Sequence, residues 1–331
     1  MRVFLTGATG LVGSHVAACL RARGDAVVCL RRPGADVRFL DSLGCELVDG
    51  DVRDGADDLA AGMATCDGVV HAAALVYAGR AWPEIRSVNV VGTENVLRGA
   101  ARAGVGRAVH VSSVAVYGPV AAGSPVDEDA SLEAPLPPGD LYARSKREAE
   151  SVALKVAREE DLDVTVVRPA AVYGERDRLL GPRMAALTRL PLVPLLGPGT
   201  NTLSVVYAGN VASAVALALD RGQPGRAYNL ATDHPLTQEG LARGLGEALG
   251  RRVRTVRVPA AAVRAVARAA RRFGARVPGV ASLPVERVAC LALSDNPYST
   301  SRIRDELGWQ PSFTHEEGLR RTAAWLREGG S

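Results

Sequence analysis

"RVFLTGATGLVGSH", residues 2–15, joins a short apolar run to three glycines three apart and then to a helical pattern. The run Arg2–Leu5 reads as a buried strand, and Gly7, Gly10 and Gly13 form a GxxGxxG turn directly after it. Glycine permits the tight backbone turn, a close approach of main chain to a ligand, and contact between the following helix and the strand. The unpaired N–H groups at that helix's start, with the positive end of its dipole, attract phosphate. A strand, a glycine turn and a helix at the head of a chain therefore predict a dinucleotide-binding βα unit.

Further along, short β-branched runs alternate with longer helical segments: "AVVCL" (26–30), "CELVDG" (45–50), "GVVHAAA" (68–74), "RAVHVSS" (107–113) and "DVTVVRP" (163–169). Near-continuous apolar strands separated by helices predict an α/β fold, a Rossmann-type doubly wound parallel sheet covered on both faces. After Gly174 the pattern loosens into Gly/Pro-punctuated chain, a helix near 209–220, a strand-like "GRAYNLA" and a helix-rich tail. The expected organisation is a dinucleotide-binding domain over residues 1–173, with return elements near 206–231. A smaller helix-rich substrate lobe over 174–205 and 232–331 would cover the sheet's carboxyl edge. Within that lobe "AAAVRAVARAARRFGARVPG" (260–279) has the spacing of an amphipathic helix, expected to be solvated, with a membrane-surface role as the alternative.

The chain has 331 residues, 47% hydrophobic and 23% charged, with a net charge of +4. These are ordinary values for a globular enzyme, and the dispersed arginines do not form the tract expected of a nucleic-acid binder. Five cysteines without a CxxC pair suit reduced thiols and a cytoplasmic protein. No apolar run reaches the roughly 18 residues of a membrane span, and the first strand leaves no room for a signal peptide. His71 and His110 sit in strands without metal-ligand spacing and read as packing or hydrogen-bonding residues.

The second strand ends in "CLRRPGAD". An NAD-type site usually holds an acidic residue there for the ribose hydroxyls, whereas Arg31 and Arg32 suit the additional 2′-phosphate of NADP. The expectation is NADP, with NAD as the alternative, and one arginine is expected to be merely solvated. Asp51 and Val52 follow the third strand, where they would meet the adenine, although Asp51 equally suits a helix cap.

In "DLYARSKREAE" (140–150), Tyr142 and Lys146 stand four apart and so share one helical face. "VHVSSVAVYG" places Ser112 and Ser113 at the end of the fifth strand, with alternation sending them to opposite faces. Taken in order, "TGATGLVG", "VVHAAA", "NVVGTENVL", "VSSVAVYG", "YARSK" and "VVRPAAVYG" resemble the extended short-chain dehydrogenase/reductase family. The likeness continues more loosely to "STSRIRDELGW" (299–309). That resemblance implies a catalytic set of Ser113, Tyr142 and Lys146: tyrosine as general acid/base, lysine holding the nicotinamide ribose and lowering the tyrosine pKa, and serine holding the substrate oxygen. It also implies cofactor contacts at Gly7, Thr9, Gly10, Leu11, Val12, Gly13, Arg31, Arg32, Asp51 and Val52, then at Ala72, Ala73, Ala74, Asn89, Tyr142, Lys146, Pro169 and Val172. For Asn89 a structural role is equally open.

Nucleotide-sugar enzymes of this family usually carry arginines for the sugar diphosphate in the second lobe. The corresponding positions here are Leu203, with Ser204 beside it, and the apolar run Ala289, Cys290, Leu291 and Ala292. A buried diphosphate without cations is costly, and Arg178, Arg183 or Arg287 would have to serve as displaced anchors. The segments "LSVVYAGNVA" and "RAYNLATDHPLT" are more similar to the 3β-hydroxysteroid dehydrogenase and dihydroflavonol reductase branch. The expected substrate is a small hydrophobic secondary alcohol or ketone, for which the loop "ALVYAGRAW" (74–82) offers apolar and aromatic lining; the alternative function is that of a nucleotide-sugar epimerase. The apolar spacing of "VNVVGTENVLRGAARAG" raises the expectation of a homodimer through the helices around 89–103 and 142–159.

Overall fold

The computed structural model describes residues 1–76, 81–120, 125–273 and 293–329. Arg287, the run 289–292, residues 77–80 of the expected substrate loop and the end of the 260–279 segment lie outside the described residues.

The first half of the chain runs β1 (Arg2–Thr6), α1 (Leu11–Ala22), β2 (Ala26–Arg31), α2 (Arg38–Ser42), β3 (Glu46–Asp49), α3 (Ala56–Met63) and β4 (Gly68–His71). It continues through α4 (Trp82–Arg86), α5 (Gly92–Arg102), β5 (Arg107–Val111), α6 (Leu141–Glu159) and β6 (Asp163–Pro169). The second half holds β7 (Ala171–Tyr173), α7 (Leu180–Leu187), β8 (Val193–Leu196), β9 (Val205–Tyr207), α8 (Ala208–Arg221) and β10 (Ala227–Leu230). It ends with α9 (Gln238–Ala248), β11 (Thr255–Val258), α10 (Ala260–Phe273), α11 (Ser301–Leu307) and α12 (His315–Arg327).

Seven parallel strands form the main sheet in the order β10-β6-β5-β4-β1-β2-β3. The strand alternation is visible in β1. Val3 and Leu5 join α1 and α8 in one core through Val16, Leu20, Val211, Val215 and Leu219. Phe4 points to the opposite core, with Leu59 of α3, Val96 and Leu97 of α5, and Val156 of α6. The sheet order reverses direction between β1 and β4, and open α/β sheets bind ligands outside the strands' carboxyl ends at such a switch point.

The apolar stripe of α5 has its partner within the chain. Val96, Leu97 and Ala100 are buried against α3 and α6, while the outward Arg98 bonds Glu94, Glu159 and Glu160. No second copy is needed to bury that stripe, which removes the observation that suggested a dimer.

The later chain adds two small parallel sheets, β7 with β9 and β8 with β11. Tyr173, Tyr207, Leu245 and Leu319 form their own core beside them. Glu175 fastens this region to α1: it accepts hydrogen bonds from Tyr207 Oη at 2.7 Å and lies 3.2 Å from His15 Nε2. Burial opposes its charge, but these partners hold the carboxyl down at about 2. Among the described residues no helix is long and apolar enough to cross a membrane.

Candidate active site

The glycine turn closes against the loop after β4. Gly7 has φ +72°, and a Cβ there would lie 2.6 Å from Ala73 N. A Cβ on Gly13 would lie 2.2 Å from the carbonyl oxygen of Gly7, so α1 approaches the turn at a distance open only to glycine. Gly10 caps α1 without a side-chain hydrogen bond, and the first turn holds no acidic residue. Its first N–H groups therefore remain available to an anion, with no carboxylate in that turn to repel one. Thr9, Leu11 and Val12 are half-buried along this turn, and Ala72, Ala73 and Ala74 line the facing loop at the same depth.

A chain of short hydrogen bonds fixes that loop. The Thr6 hydroxyl is 2.7 Å from His71 Nδ1, and His71 Nε2 is 2.9 Å from the Thr93 hydroxyl. Burial and the neighbouring Lys146 charge keep His71 neutral, with a pKa lowered to about 3. The His110 ring stacks on it at 5.5 Å and is held neutral for the same two reasons, reinforced by His71. Asn89 sits in a single π-turn, Ser87–Val91, between α4 and α5. Its side chain accepts from Leu75 N–H at 2.7 Å and donates to Leu75 O at 3.0 Å and to Ser145 Oγ at 2.8 Å. Asn89 thus ties the β4 loop to α6, the structural role left open by the sequence. π-turns of this kind commonly position one side chain at a functional site.

The carboxyl end of β5 receives α6. Ser113 is extended and caps the 3₁₀ turn Val114–Tyr117, its Oγ accepting the Ala115 N–H at 3.2 Å. That bond uses a lone pair and leaves the hydroxyl proton free to donate. Lys146 is only 3% exposed, and its Nζ donates to Val111 O at 2.8 Å, two residues before Ser113. Burial lowers its pKa to about 8, with the charge of Glu150 opposing that fall. Tyr142, half-buried, lies one turn earlier on the same face of α6. Asp140 starts the helix by accepting the Ala143 N–H at 3.0 Å. Pro169 is buried at the end of β6, and Val172 packs half-buried on the first core.

Behind Lys146 runs an ionic network that the sequence reading missed. Ser112 faces away from Ser113 and donates to Glu150 Oε2 at 2.7 Å. Glu150 pairs with Arg168 of β6, both almost wholly buried. Arg168 Nη1 donates to Tyr117 Oη at 2.6 Å, and Tyr117 donates to Asn229 Oδ1 at 2.8 Å. Asn229 N–H then donates to Glu128 Oε1 at 2.6 Å. Burial pushes the Tyr117 phenol up to about 12, so it remains a neutral link. An arginine within the valine run "DVTVVRP" and a glutamate one turn after Lys146 were the available signals, because a charge in a central strand requires a buried counter-charge.

At the adenosine end, Arg31 is the cross-strand partner of Asp49. The pair is loose: Nε is 3.1 Å from Asp49 Oδ1 and Nη2 donates to Oδ2 at 3.4 Å. Arg32 is exposed on the following turn. Asp51 is engaged by Arg53 at 2.9 Å, which holds its carboxyl below the usual range. Val52 is buried against α5, where a Cβ on Gly92 would come 2.7 Å from it. In the second lobe, Leu203 lies in an apolar cluster with Val205 and Leu236, and Ser204 donates to Asn296. Arg178 and Arg183 are exposed.

A glycine turn at the switch point, with Ser113, Tyr142 and the buried Lys146 near the carboxyl end of β5, is an arrangement that suits a Rossmann-type dinucleotide enzyme. The chain belongs to the NAD dependent epimerase/dehydratase family, whose model matches residues 3–231, and so to the extended short-chain dehydrogenases/reductases. It is an NAD(P)-dependent oxidoreductase-type enzyme. Among its relatives, the 4-hydroxy-2-methyl-3-oxo-4-farnesyl-3,4-dihydroquinoline-1-oxide ketoreductase of Stigmatella aurantiaca is 31% identical over 321 residues, covering 96% of this chain and 95% of the relative. The 3 beta-hydroxysteroid dehydrogenase/Delta 5→4-isomerase of Mycobacterium tuberculosis is 30% identical over 341 residues, covering 96% and 88%. The crystal structure of dTDP-glucose 4,6-dehydratase from Streptomyces venezuelae, with NAD and TYD bound, matches with a TM-score of 0.74 at 29% identity, covering 99% of this chain and 97% of that one.

Replacing Glu150 with Gln leaves the Arg168 guanidinium buried without its carboxylate, and should lower stability by about 3–5 kcal/mol in denaturant unfolding. The double change Glu150→Met with Arg168→Met removes both charges and should recover most of that loss. Equal losses in the single and double variants would mean that the pair does not act as a charge pair.

Proposed function

We propose that this enzyme is an NADP-preferring oxidoreductase that interconverts a hydrophobic secondary alcohol and its ketone, with Ser113, Tyr142 and Lys146 as its catalytic set. The observation that carries this reading is the buried Lys146 ammonium, held by Val111 beside Ser113 with Tyr142 one helical turn away. Lysine has three donors, so its bond to Val111 is compatible with further bonds to a ribose diol and the phenol. The residues of the glycine turn, the Ala72–Ala74 loop, Asn89, Pro169 and Val172 would hold the dinucleotide, whose nicotinamide supplies or accepts the hydride.

The protein's own groups manage the proton. In reduction, Tyr142 Oη gives its proton to the carbonyl oxygen, and the Lys146 charge lowers the cost of the phenolate left behind. Ser113 donates its free hydroxyl proton to the same oxygen and fixes its position. In oxidation the same groups act in reverse. The lobe built from residues 174–205 and 232–331 would supply the substrate pocket.

Two features support an apolar substrate. Leu203 stands in an apolar cluster at the position where nucleotide-sugar enzymes place an arginine, and the exposed Arg178 and Arg183 offer no buried anchor. The ketoreductase and hydroxysteroid dehydrogenase relatives agree in kind. The similarity to a dTDP-glucose dehydratase keeps a nucleotide-sugar enzyme as the second reading. Val114 beside Ser113 disfavours its dehydratase form, which normally calls for an acidic group there.

Tyr142→Phe should leave dinucleotide affinity nearly unchanged and reduce turnover by about 10² to 10⁴ fold, the contribution of a positioned acid/base. Near-normal turnover in steady-state assays with a panel of apolar ketones would overturn the assignment.

Cofactor choice should depend chiefly on Arg32, because Asp49 already engages Arg31. A charge-assisted contact contributes about 1.5–3 kcal/mol, so Arg32→Ser should weaken NADP by about tenfold or more and leave NAD unchanged. Asp49→Asn should release Arg31 and tighten NADP alone. Calorimetric titration at fixed ionic strength decides the matter, and a wild type that prefers NAD ends the NADP reading.

A further inference from the structure

Away from the nucleotide crevice, the second lobe has a surface of another kind. Leu187 ends α7, and the chain runs through Arg189, Leu190, Pro191 and Leu192 into β8, all of them exposed. Of the seven large apolar side chains that stand exposed among the described residues, five fall in this region: Leu187, Leu190, Leu192, Val256 and Val266. That clustering separates them from the single exposed apolar residues normal on any surface.

Arginines are interleaved with them. Arg251 Nη1 donates to Ala185 O at 2.8 Å and to Thr188 Oγ1 at 2.7 Å, which holds the chain before β11 against the end of α7. Val193 N–H donates to Arg254 O at 2.7 Å, and the strand register sets Val256 beside Pro194. Arg252, Arg254 and Arg257 are exposed on this segment. α10 packs on the same small sheet through Val263 and Ala267 and leaves Arg264, Val266 and Arg268 exposed. The sequence from 248 to 272 contains no aspartate or glutamate, and the nearest acid, Glu247, is a single exposed carboxylate beside Arg243, Arg251 and Arg252. Elsewhere arginines such as Arg98, Arg102 and Arg321 pair with carboxylates. Among the described residues no carboxylate lies within ion-pair distance of Arg189, Arg252, Arg254, Arg257, Arg264 or Arg268.

We infer that this face docks the enzyme onto an anionic lipid surface. Arginines meet headgroup phosphates there, while aliphatic side chains enter the boundary between headgroups and acyl chains. Contact of this kind is peripheral, and among the described residues no helix is long and apolar enough to cross a membrane. Two other occupants fit less well. A nucleic acid would be met by arginine together with aromatic side chains for stacking, and the exposed large apolar residues here are leucine and valine. A second copy related by a two-fold axis would set this arginine-rich face against itself, because an isologous interface repeats the same patch.

The test is cosedimentation of the full chain with vesicles of phosphatidylcholine alone or mixed with phosphatidylglycerol. The wild type should bind the mixed vesicles, ignore the neutral ones, and lose binding as salt rises. Leu190→Ser with Leu192→Ser, and separately Arg252→Ser with Arg254→Ser, should each weaken binding at least tenfold while melting temperature and dinucleotide affinity stay at wild-type values. Absence of vesicle binding, or wild-type binding by both variants, overturns the inference. So does binding of an RNA oligonucleotide that only the arginine variant loses, which would assign the face to nucleic acid, or a dimer that only the leucine variant dissolves, which would assign it to a second copy.

Discussion

The site depends on one costly placement, an ammonium group in the interior. Lys146 is nearly inaccessible, and its hydrogen bond to Val111 O joins α6 to the carboxyl end of β5. A charge removed from water is tolerated only where dipoles or counter-charges replace the solvent. Much of the surrounding structure does this. Glu150 lies one turn along the same helix and opposes the fall in the lysine's pKa. The two strand histidines nearest this charge remain neutral and so add no repulsion.

Glu150 is itself a buried charge, and its pairing with Arg168 extends the requirement across β6. From there Tyr117, Asn229 and Glu128 carry hydrogen bonds to β10 and to the chain before α6. Arg302 of α11 then lies 3.6 Å from Glu128 and bonds Asp129 at 2.5 Å. The edge that carries Lys146 is thereby linked to an element more than 150 residues away from it in sequence. On the other side, Asn89 makes three hydrogen bonds that fasten the β4 loop to α6. The crevice between the glycine turn and α6 is bounded on both walls by buried polar contacts, which tolerate little displacement without leaving a group unpaired.

What the sequence revealed was local. A strand followed by GxxGxxG, the apolar runs of a parallel sheet and the four-residue spacing of Tyr142 and Lys146 each lie within one short stretch, and the fold and the serine–lysine juxtaposition follow from them. What it hid was pairing between distant segments. Arg31 looked free to meet a phosphate because its contact with Asp49 arises only from the β2–β3 register. The α5 stripe looked like an interface because its partners, Leu59, Ala153 and Val156, come from helices on either side in sequence. The small sheet of β8 and β11 was invisible as a sheet, since Val193 pairs with Thr255 across α8 and α9 and neither strand exceeds four residues.

In the proposed mechanism the buried Lys146 charge prepares the Tyr142 phenol for proton transfer. Carbon-13 labelling at the tyrosine ζ-carbon, with Tyr142→Phe to assign the resonance, reports this directly as the pH is raised with oxidised NADP bound. Tyr142 should titrate well below the ordinary tyrosine value of about 10, and Lys146→Met should return it toward that value. A Tyr142 resonance that titrates at or above about 10 in the wild-type complex would contradict it.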